Sequence, residues 1–421
     1  MNSTQIRQAF LDYFKSQGHI IVPSSSLVPM DDPSVLLTTA GMQQFKPYFL
    51  EPAKAQSRLG ARRATSVQKC FRTSDIDEVG DTSHLTFFEM LGNFSFGDYF
   101  KEEAITWAWE FITKVIGIAQ DRTHVTIFAG DSEVPRDDES FKIWRGLGVP
   151  ESQIKAAGRA DNFWGPTGDE GPCGPTTEIY VDGLEVWNLV FNEFFMAKDG
   201  HLTKLRLAGV DTGMGFERLL KVVLKSESLL ETDVFSVIKT AVEGAVTTPL
   251  APELQQRAER IITDHLRAAT FLIVDGVRPS NVKQGYILRR LLRRVIRYEQ
   301  MLGMADTATP KILKAVAATY ATAYPELGAR ATEVESVINA ERASFAKALR
   351  RGLKEFERIW QSPGGLTGEG AFKLYESYGF PYELTRELAK ERGGTLNKAD
   401  FDAAFLVHQQ KSRPVQSSLM I

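Results

Sequence analysis

Gly209-Val210-Asp211-Thr212-Gly213-Met214-Gly215-Phe216-Glu217-Arg218 is the stretch that decides how this chain folds. Its glycines let a strand-to-helix turn pass close to a nucleotide, and an acidic-basic pair then opens the helix, where free backbone N–H groups favour an anion. Taken alone, a Gly-rich turn before a helix is only a turn. Its weight comes from a second block upstream, Gln68-Lys69-Cys70-Phe71-Arg72, followed after a polar loop by His84-Leu85-Thr86-Phe87-Phe88-Glu89-Met90-Leu91-Gly92-Asn93-Phe94. Phe-Arg, a loop, then His-x-x-x-Phe is the order expected of an antiparallel hairpin whose arginine meets a phosphate and whose phenylalanine lies against a base.

Outward from these blocks, short β-branched and aromatic runs at 124–128, 177–181 and 186–191 alternate with Gly/Pro/Asp clusters, an α+β texture. Near position 240 the texture changes. From Pro252 to Trp360 proline is scarce and apolar residues recur at three- and four-residue intervals, which predicts a helical domain. The break at 361–365 ends the longest helix, and further helices are expected over 368–378 and 382–392. The domains expected are therefore 1–240, 241–410 and a flexible tail over 411–421. A third block, Asn162 to Ile179, is dense in Gly and Pro and reads as a sharply folded loop, with Trp164 and the later Asn188 offering an aromatic wall and a polar group to a small ligand. The plainer reading of that block is a surface loop.

The 421 residues, 43% hydrophobic, suffice for two or three domains, and the net charge of −3 excludes a strongly basic or acidic protein overall. The two cysteines, Cys70 and Cys173, stand far apart without a CxxC or His-rich pairing, which argues against a zinc site and a disulfide framework. No stretch approaches the ~20 apolar residues that span a bilayer. A soluble, cytoplasmic protein with no membrane partner is the expectation.

The Arg72 and Arg218 blocks together resemble motifs 2 and 3 of the class II aminoacyl-tRNA synthetases. The runs 24–29, 39–46, 87–100, 168–179, 210–218, 268–281, 285–294 and 374–385 are similar to the alanyl-specific family of that class, collinearly from about Ile6 to about Gln410. The resemblance implies an α+β fold, an antiparallel sheet flanked by helices that carries adenylation over 1–240, followed by a mostly helical acceptor-stem domain. It also implies ATP-dependent activation of L-alanine to the adenylate, with Mg²⁺, and transfer to the 3′ end of tRNA(Ala).

The chemistry assigns roles. Alanine's carboxylate must attack the α-phosphate in line, so two anions have to be held together. The planar guanidinium of Arg72 can bridge both. His84 is suited to the β- or γ-phosphate, although a lone His is more often ordinary, and Phe88 to stacking on adenine. Arg218, with Gly213 and Gly215, completes the nucleotide site at a helix start. Glu217 either orients Arg218 or holds Mg²⁺, and Glu178 is a further metal or water ligand. The family resemblance implies that Asp211 pairs with the alanine ammonium, against the plainer reading of a helix cap. Asn188 adds a hydrogen bond, while Trp164 and Gly213 shape a pocket that excludes larger side chains. A hydroxymethyl or hydrogen in place of methyl shifts binding by only about 1–3 kcal/mol, so serine and glycine are expected to leak through.

For tRNA, Arg289, Arg290, Arg293, Arg294 and Arg297 alternate with aliphatics so that, at ~100° per residue, a basic face forms opposite an apolar one. A solvated surface helix is the plainer reading; binding of acceptor-stem phosphates is the sharper one. Family members usually carry Asn and Asp, which read a G·U wobble pair, where this chain has Gln300 and Glu383. Longer members also continue into a zinc-binding editing domain and a C-terminal domain. The expectation here is a monomer without cis editing, with a separate trans-editing protein as a possible partner. Two alternatives stay open: a ligase that charges a non-tRNA acceptor, and a non-catalytic tRNA-binding paralogue.

Overall fold

In the computed structural model, which describes residues 1–29, 32, 35–166 and 168–412, the β-branched and aromatic runs become the strands of one sheet. These are β1 (Ile20–Ile21), β2 (Arg63–Phe71), β3 (Phe87–Phe96), β4 (Thr123–Phe128), β5 (Ile154–Ala157), β6 (Phe163–Trp164), β7 (Gly171–Val181), β8 (Leu184–Met196) and β9 (Leu202–Gly215). The order is β1-β2-β3-β9-β8-β7-β4-β5, with β6 on β7. Pairing is antiparallel throughout the middle and parallel at the two ends, β1 with β2 and β4 with β5. The expected antiparallel sheet is thus mixed at its edges. The Gly/Pro block also differs from expectation: Gly171–Val181 is continuous strand, not loop, up to the turn into β8. Gly174 permits this, because a Cβ there would lie 1.8 Å from the carbonyl oxygen of Phe191.

Side chains alternate across a strand, so the sheet has two distinct faces. Leu91, Val125, Ile179, Trp187, Leu189, Val210 and Met214 are buried on one. There they meet α1 (Ser3–Ser16), whose Phe10 ring centroid lies 5.9 Å from that of Trp187. The other face carries Phe88, Met90, Asp211, Gly213, Asn188 and Glu178, the residues with chemistry to offer.

The longer helices that follow in chain order are α2 (Lys101–Glu110), α3 (Asp138–Gly146), α4 (Phe216–Leu224), α5 (Ser236–Glu243), α6 (Pro252–Val274), α7 (Lys283–Met301), α8 (Ala308–Thr319), α9 (Ala331–Trp360), α10 (Gly368–Tyr378), α11 (Tyr382–Glu391) and α12 (Lys398–Ser412). Lys411 and Ser412 of the expected tail end α12, while 413–421 lie outside the described residues. One apolar cluster runs from Ile6 to Ile338, so α5 to α8 share the core of the sheet. A second, around Ile296, Phe345, Leu374, Phe380 and Leu388, joins α7 to α9, α10 and α11. Helix α6 is buried on every side from Ile261 to Val274. Its polar residues there, Asp264, His265 and Arg267, must therefore find partners inside the protein.

Both cysteines are free and buried. Among the described residues no helix is long and apolar enough to cross a membrane.

Candidate active site

Arg72 follows β2 directly. Its backbone N–H donates to the Thr86 carbonyl at 2.9 Å, which closes the hairpin. Its side chain is exposed, and its guanidinium carbon stands 5.0 Å from the centroid of the Phe88 ring. Among the described residues that guanidinium has no carboxylate partner. His84, exposed at the far end of the loop, is oriented by Asp81, whose Oδ2 lies 2.6 Å from His84 Nδ1. The hairpin thus sets Arg72 against Phe88, while His84 stands beside Asp81 in the loop.

Across β9 from Phe88, Arg218 projects from the first turn of α4 and donates to Glu185 Oε2 at 2.7 Å and to the Glu185 carbonyl at 3.2 Å. Glu185, unnoticed in the sequence because it sits beside an ordinary Asp-Gly turn, is its anchor. Glu217 does neither task expected of it. It is 2% exposed, receives the Glu89 backbone N–H at 3.1 Å and pairs with Arg267 at 3.1 Å. A helix turns ~100° per residue, so neighbours at its start point in different directions; Arg218 faces the site, whereas Glu217 faces the core. Burial raises the Glu217 pKa, and Arg267 opposes that rise.

Farther along the face lies the region expected to take the amino acid. Asp211 on β9 sits opposite Phe94 of β3 and Val190 of β8. It is 5% exposed and hydrogen-bonds to no described residue through its carboxylate, and burial pushes its pKa up to about 7. An unpaired buried carboxylate is costly unless a ligand supplies the missing cation. Asn188, opposite Gly213, donates through Nδ2 to Glu178 at 3.1 Å and leaves its Oδ1 buried and unpartnered. Trp164 on β6 pairs with Gly174 and packs, as Met90 does, against the apolar cluster that includes Met42, Phe45 and Phe94. Gly213 works differently from expectation. A Cβ at this position would meet Met90 Sδ at 2.8 Å, so the missing side chain makes room for the Met90 thioether. No local pattern points to Met90, since its neighbour is more than a hundred positions away.

Glu178 accepts from Tyr180 Oη at 2.9 Å, Thr126 Oγ1 at 3.3 Å and Asn188. Burial first, and the charge of Glu185 second, push it up to about 7. Glu178 and Glu185 are hard oxygen donors of the kind that suit a Mg²⁺ ion retaining most of its waters.

The family described as tRNA synthetases class II (A) matches residues 5–419. The chain belongs to this family. Alanine--tRNA ligase of Rubrobacter xylanophilus is 45% identical over 98% of this chain and 50% of that protein. The Treponema pallidum and Borrelia hermsii proteins of the same description are 42% and 40% identical, over 98% of this chain and 72% and 73% of theirs. The chain spans about half the length of the first of these relatives. Among solved structures, apo S. aureus histidyl-tRNA synthetase overlaps 53% of this chain and 65% of that one at 14% identity, with a TM-score of 0.35 that carries no argument.

In this chain the arginines of α7 are not a solvated face. Arg294 and Arg297 are 6% and 3% exposed. Arg294 binds Glu387 at 2.8 Å, and Arg297 binds Glu391. Arg289 and Arg293 share Glu341 at 3.3 and 2.8 Å, and Arg290 pairs with Asp77. The helix is packed against α9 and α11, whose carboxylates take up the charge that periodicity alone placed toward solvent. Arg289, Arg290 and Arg293 nevertheless line a cavity of about 410 Å³ with Tyr286, Phe372 and Tyr375. Gln300 is exposed in the last turn of α7. Glu383 accepts from Tyr286 Oη at 2.8 Å beside the first turn. Tyr286 and Gln300 are about 21 Å apart in helix rise, at opposite ends of α7.

Proposed function

We propose that this chain activates L-alanine with ATP and transfers it to the 3′ end of tRNA(Ala). The observation that carries the reading is the pairing, on one sheet face, of an arginine and a buried carboxylate that have no charged partner among the described residues: Arg72 suits the two anions of the reaction and Asp211 the ammonium of an amino acid. The relatives of the same description support alanine as that amino acid.

Bound in this order, alanine places its ammonium between Asp211 and the free Oδ1 of Asn188, and its carboxylate beside Arg72. The carboxylate oxygen attacks the α-phosphorus as the bond to the pyrophosphate oxygen breaks, and Arg72 neutralises charge on both partners. Phe88 offers its ring to adenine. Arg218, steadied by Glu185, and His84, steadied by Asp81, face the polyphosphate. Glu178 and Glu185 would hold Mg²⁺, which supplies charge neutralisation to the leaving pyrophosphate. Trp164 and Met90 leave room for a methyl group in the hollow. Arg289, Arg290 and Arg293 are the helix arginines best placed to meet acceptor-stem phosphates, with Gln300 and Glu383 flanking the stem.

The test is alanine-dependent exchange of pyrophosphate into ATP, with charging of transcribed tRNA bearing a G·U or a G·C pair in its acceptor stem. Exchange together with charging supports the reading, and the ratio of the two tRNAs measures what Gln300 and Glu383 discriminate. Exchange without charging points to another acceptor, a reading favoured if the α7 arginines serve only the fold. No exchange refutes adenylation.

A further inference from the structure

The loop between Arg72 and Thr86 is polar, yet it is tied at successive points to the helical part of the molecule. Arg294 of α7 donates to the carbonyls of Ile76 at 2.5 Å and Val79 at 3.2 Å. Arg290 of α7 and Arg386 of α11 both bind the Asp77 carboxylate. Arg260 of α6 donates to the Gly80 carbonyl at 3.3 Å. At the far end Asp264 of α6 accepts the Thr86 N–H at 3.0 Å and the Thr86 hydroxyl at 2.5 Å. Thr86 is the residue whose carbonyl receives the Arg72 amide.

These ties are joined to one another. Asp264 Oδ2 stands 2.9 Å from His265 Nδ1, and His265 Nε2 stands 3.0 Å from Arg294 Nη1. A guanidinium can only donate, so Nε2 accepts and Nδ1–H donates to Asp264, which leaves a single self-consistent arrangement. Arg294 in turn is locked by Glu387 of α11. Gly80 has φ +121°, and a Cβ there would meet Arg257 Cγ at 2.9 Å, so α6 presses on the loop backbone too.

We propose that Asp77, Asp264 and Arg294 are positioning residues for adenylation: helices α6, α7 and α11 clamp the 72–86 loop and so fix how Arg72 and His84 are presented to ATP. The inference rests on the adenylation reading above. A packing role alone would need one or two contacts, but here the carbonyls of Ile76, Val79 and Gly80 are each met by a charged donor from a helix that also carries Gln300 or adjoins one that does. The helices proposed to receive tRNA therefore hold the loop proposed to receive ATP. Loss of a tie frees the loop without removing any group that touches the nucleotide, and misplacement on the order of 1 Å in such a site costs up to about 100-fold.

The deciding experiment uses two substitutions, Asp77→Asn and Arg294→Lys. Asp77 has a side chain 38% exposed, so its variant keeps the fold even if the buried Arg294 variant does not. Two quantities are read: hydrogen exchange of the 73–86 amides in the free protein, and the KM values for ATP and alanine in pyrophosphate exchange. The clamp predicts about tenfold faster amide exchange and about a tenfold rise in KM for ATP, with KM for alanine changed less than twofold and recovery in Asp77→Glu. Unchanged amide exchange, or equal loss toward both substrates, overturns it. A wild-type chain with no pyrophosphate exchange refutes the adenylation reading instead, and the amide exchange still decides whether the helices hold the loop.

Discussion

Two regions rich in charge behave in opposite ways. On the open face of the sheet, the exposed Arg72 and the buried Asp211 stand without a charged partner among the described residues. Along α7, five arginines that look like an offered surface are each engaged by a carboxylate from elsewhere in the fold. The difference teaches that charge density marks neither a site nor a surface. What marks a site is a charge held in place and left uncompensated, since folding alone would not retain it without a ligand.

The strongest way to break this comparison is to remove a charge on the engaged side. Arg267→Met strands the buried Glu217 and is expected to lower unfolding free energy by about 3–5 kcal/mol in denaturant titration; a loss under about 1 kcal/mol would mean the inner network contributes little. On the unengaged side, Asp211→Asn should reduce alanine-dependent pyrophosphate exchange by roughly 2–5 kcal/mol of binding, a factor of about thirty to several thousand. Its unfolding midpoint should hold or rise, because the substitution removes a buried charge with no partner. A fall in both would place Asp211 among the structural charges.

Acidity sharpens the same contrast. The Asp211 carboxyl is raised to about 7 in the folded chain, and in the proposed function the alanine ammonium binds its ionised form. KM for alanine should therefore climb as pH falls below 7, by up to about tenfold per unit. The sign for stability is opposite: between about pH 4 and 7 the folded state keeps a proton that the unfolded chain releases, so this group's contribution weakens as pH rises through that window. Asp211→Asn should flatten both profiles, measured by exchange kinetics and by denaturation across pH. The smallest effect is expected from Arg297→Gln, which should leave the salt dependence of tRNA binding unchanged, whereas Arg290→Gln should reduce the log–log slope by about one. A drop of about one for Arg297 would return that residue to the phosphate surface.

Much of this was legible in sequence where the controlling interactions are local. The 209–218 strand-to-helix turn, the hairpin order around Arg72 and Phe88, the runs that became β4, β7 and β8, and the helices α10 and α11 follow from period, turn residues and caps. The partners of charges were not legible. Arg293 finds Glu341, Arg294 finds Glu387 and Glu217 finds Arg267, each across 48 to 93 positions, and no periodicity carries that distance. Glu185 and Met90 were missed for the same reason. The Gly/Pro block was misread because those residues usually break strands; here Gly174 is what lets a strand approach its neighbour closely.

The packing of Met90 over Gly213 has an evolutionary consequence. Any side chain at 213 would collide with the thioether at 2.8 Å, and any shortening at 90 would open a void against the bare glycine. Neither position can drift by itself without either a clash or an unfilled hollow. Across lineages the two should therefore covary, and the route by which this packing changes runs through paired substitution rather than single steps.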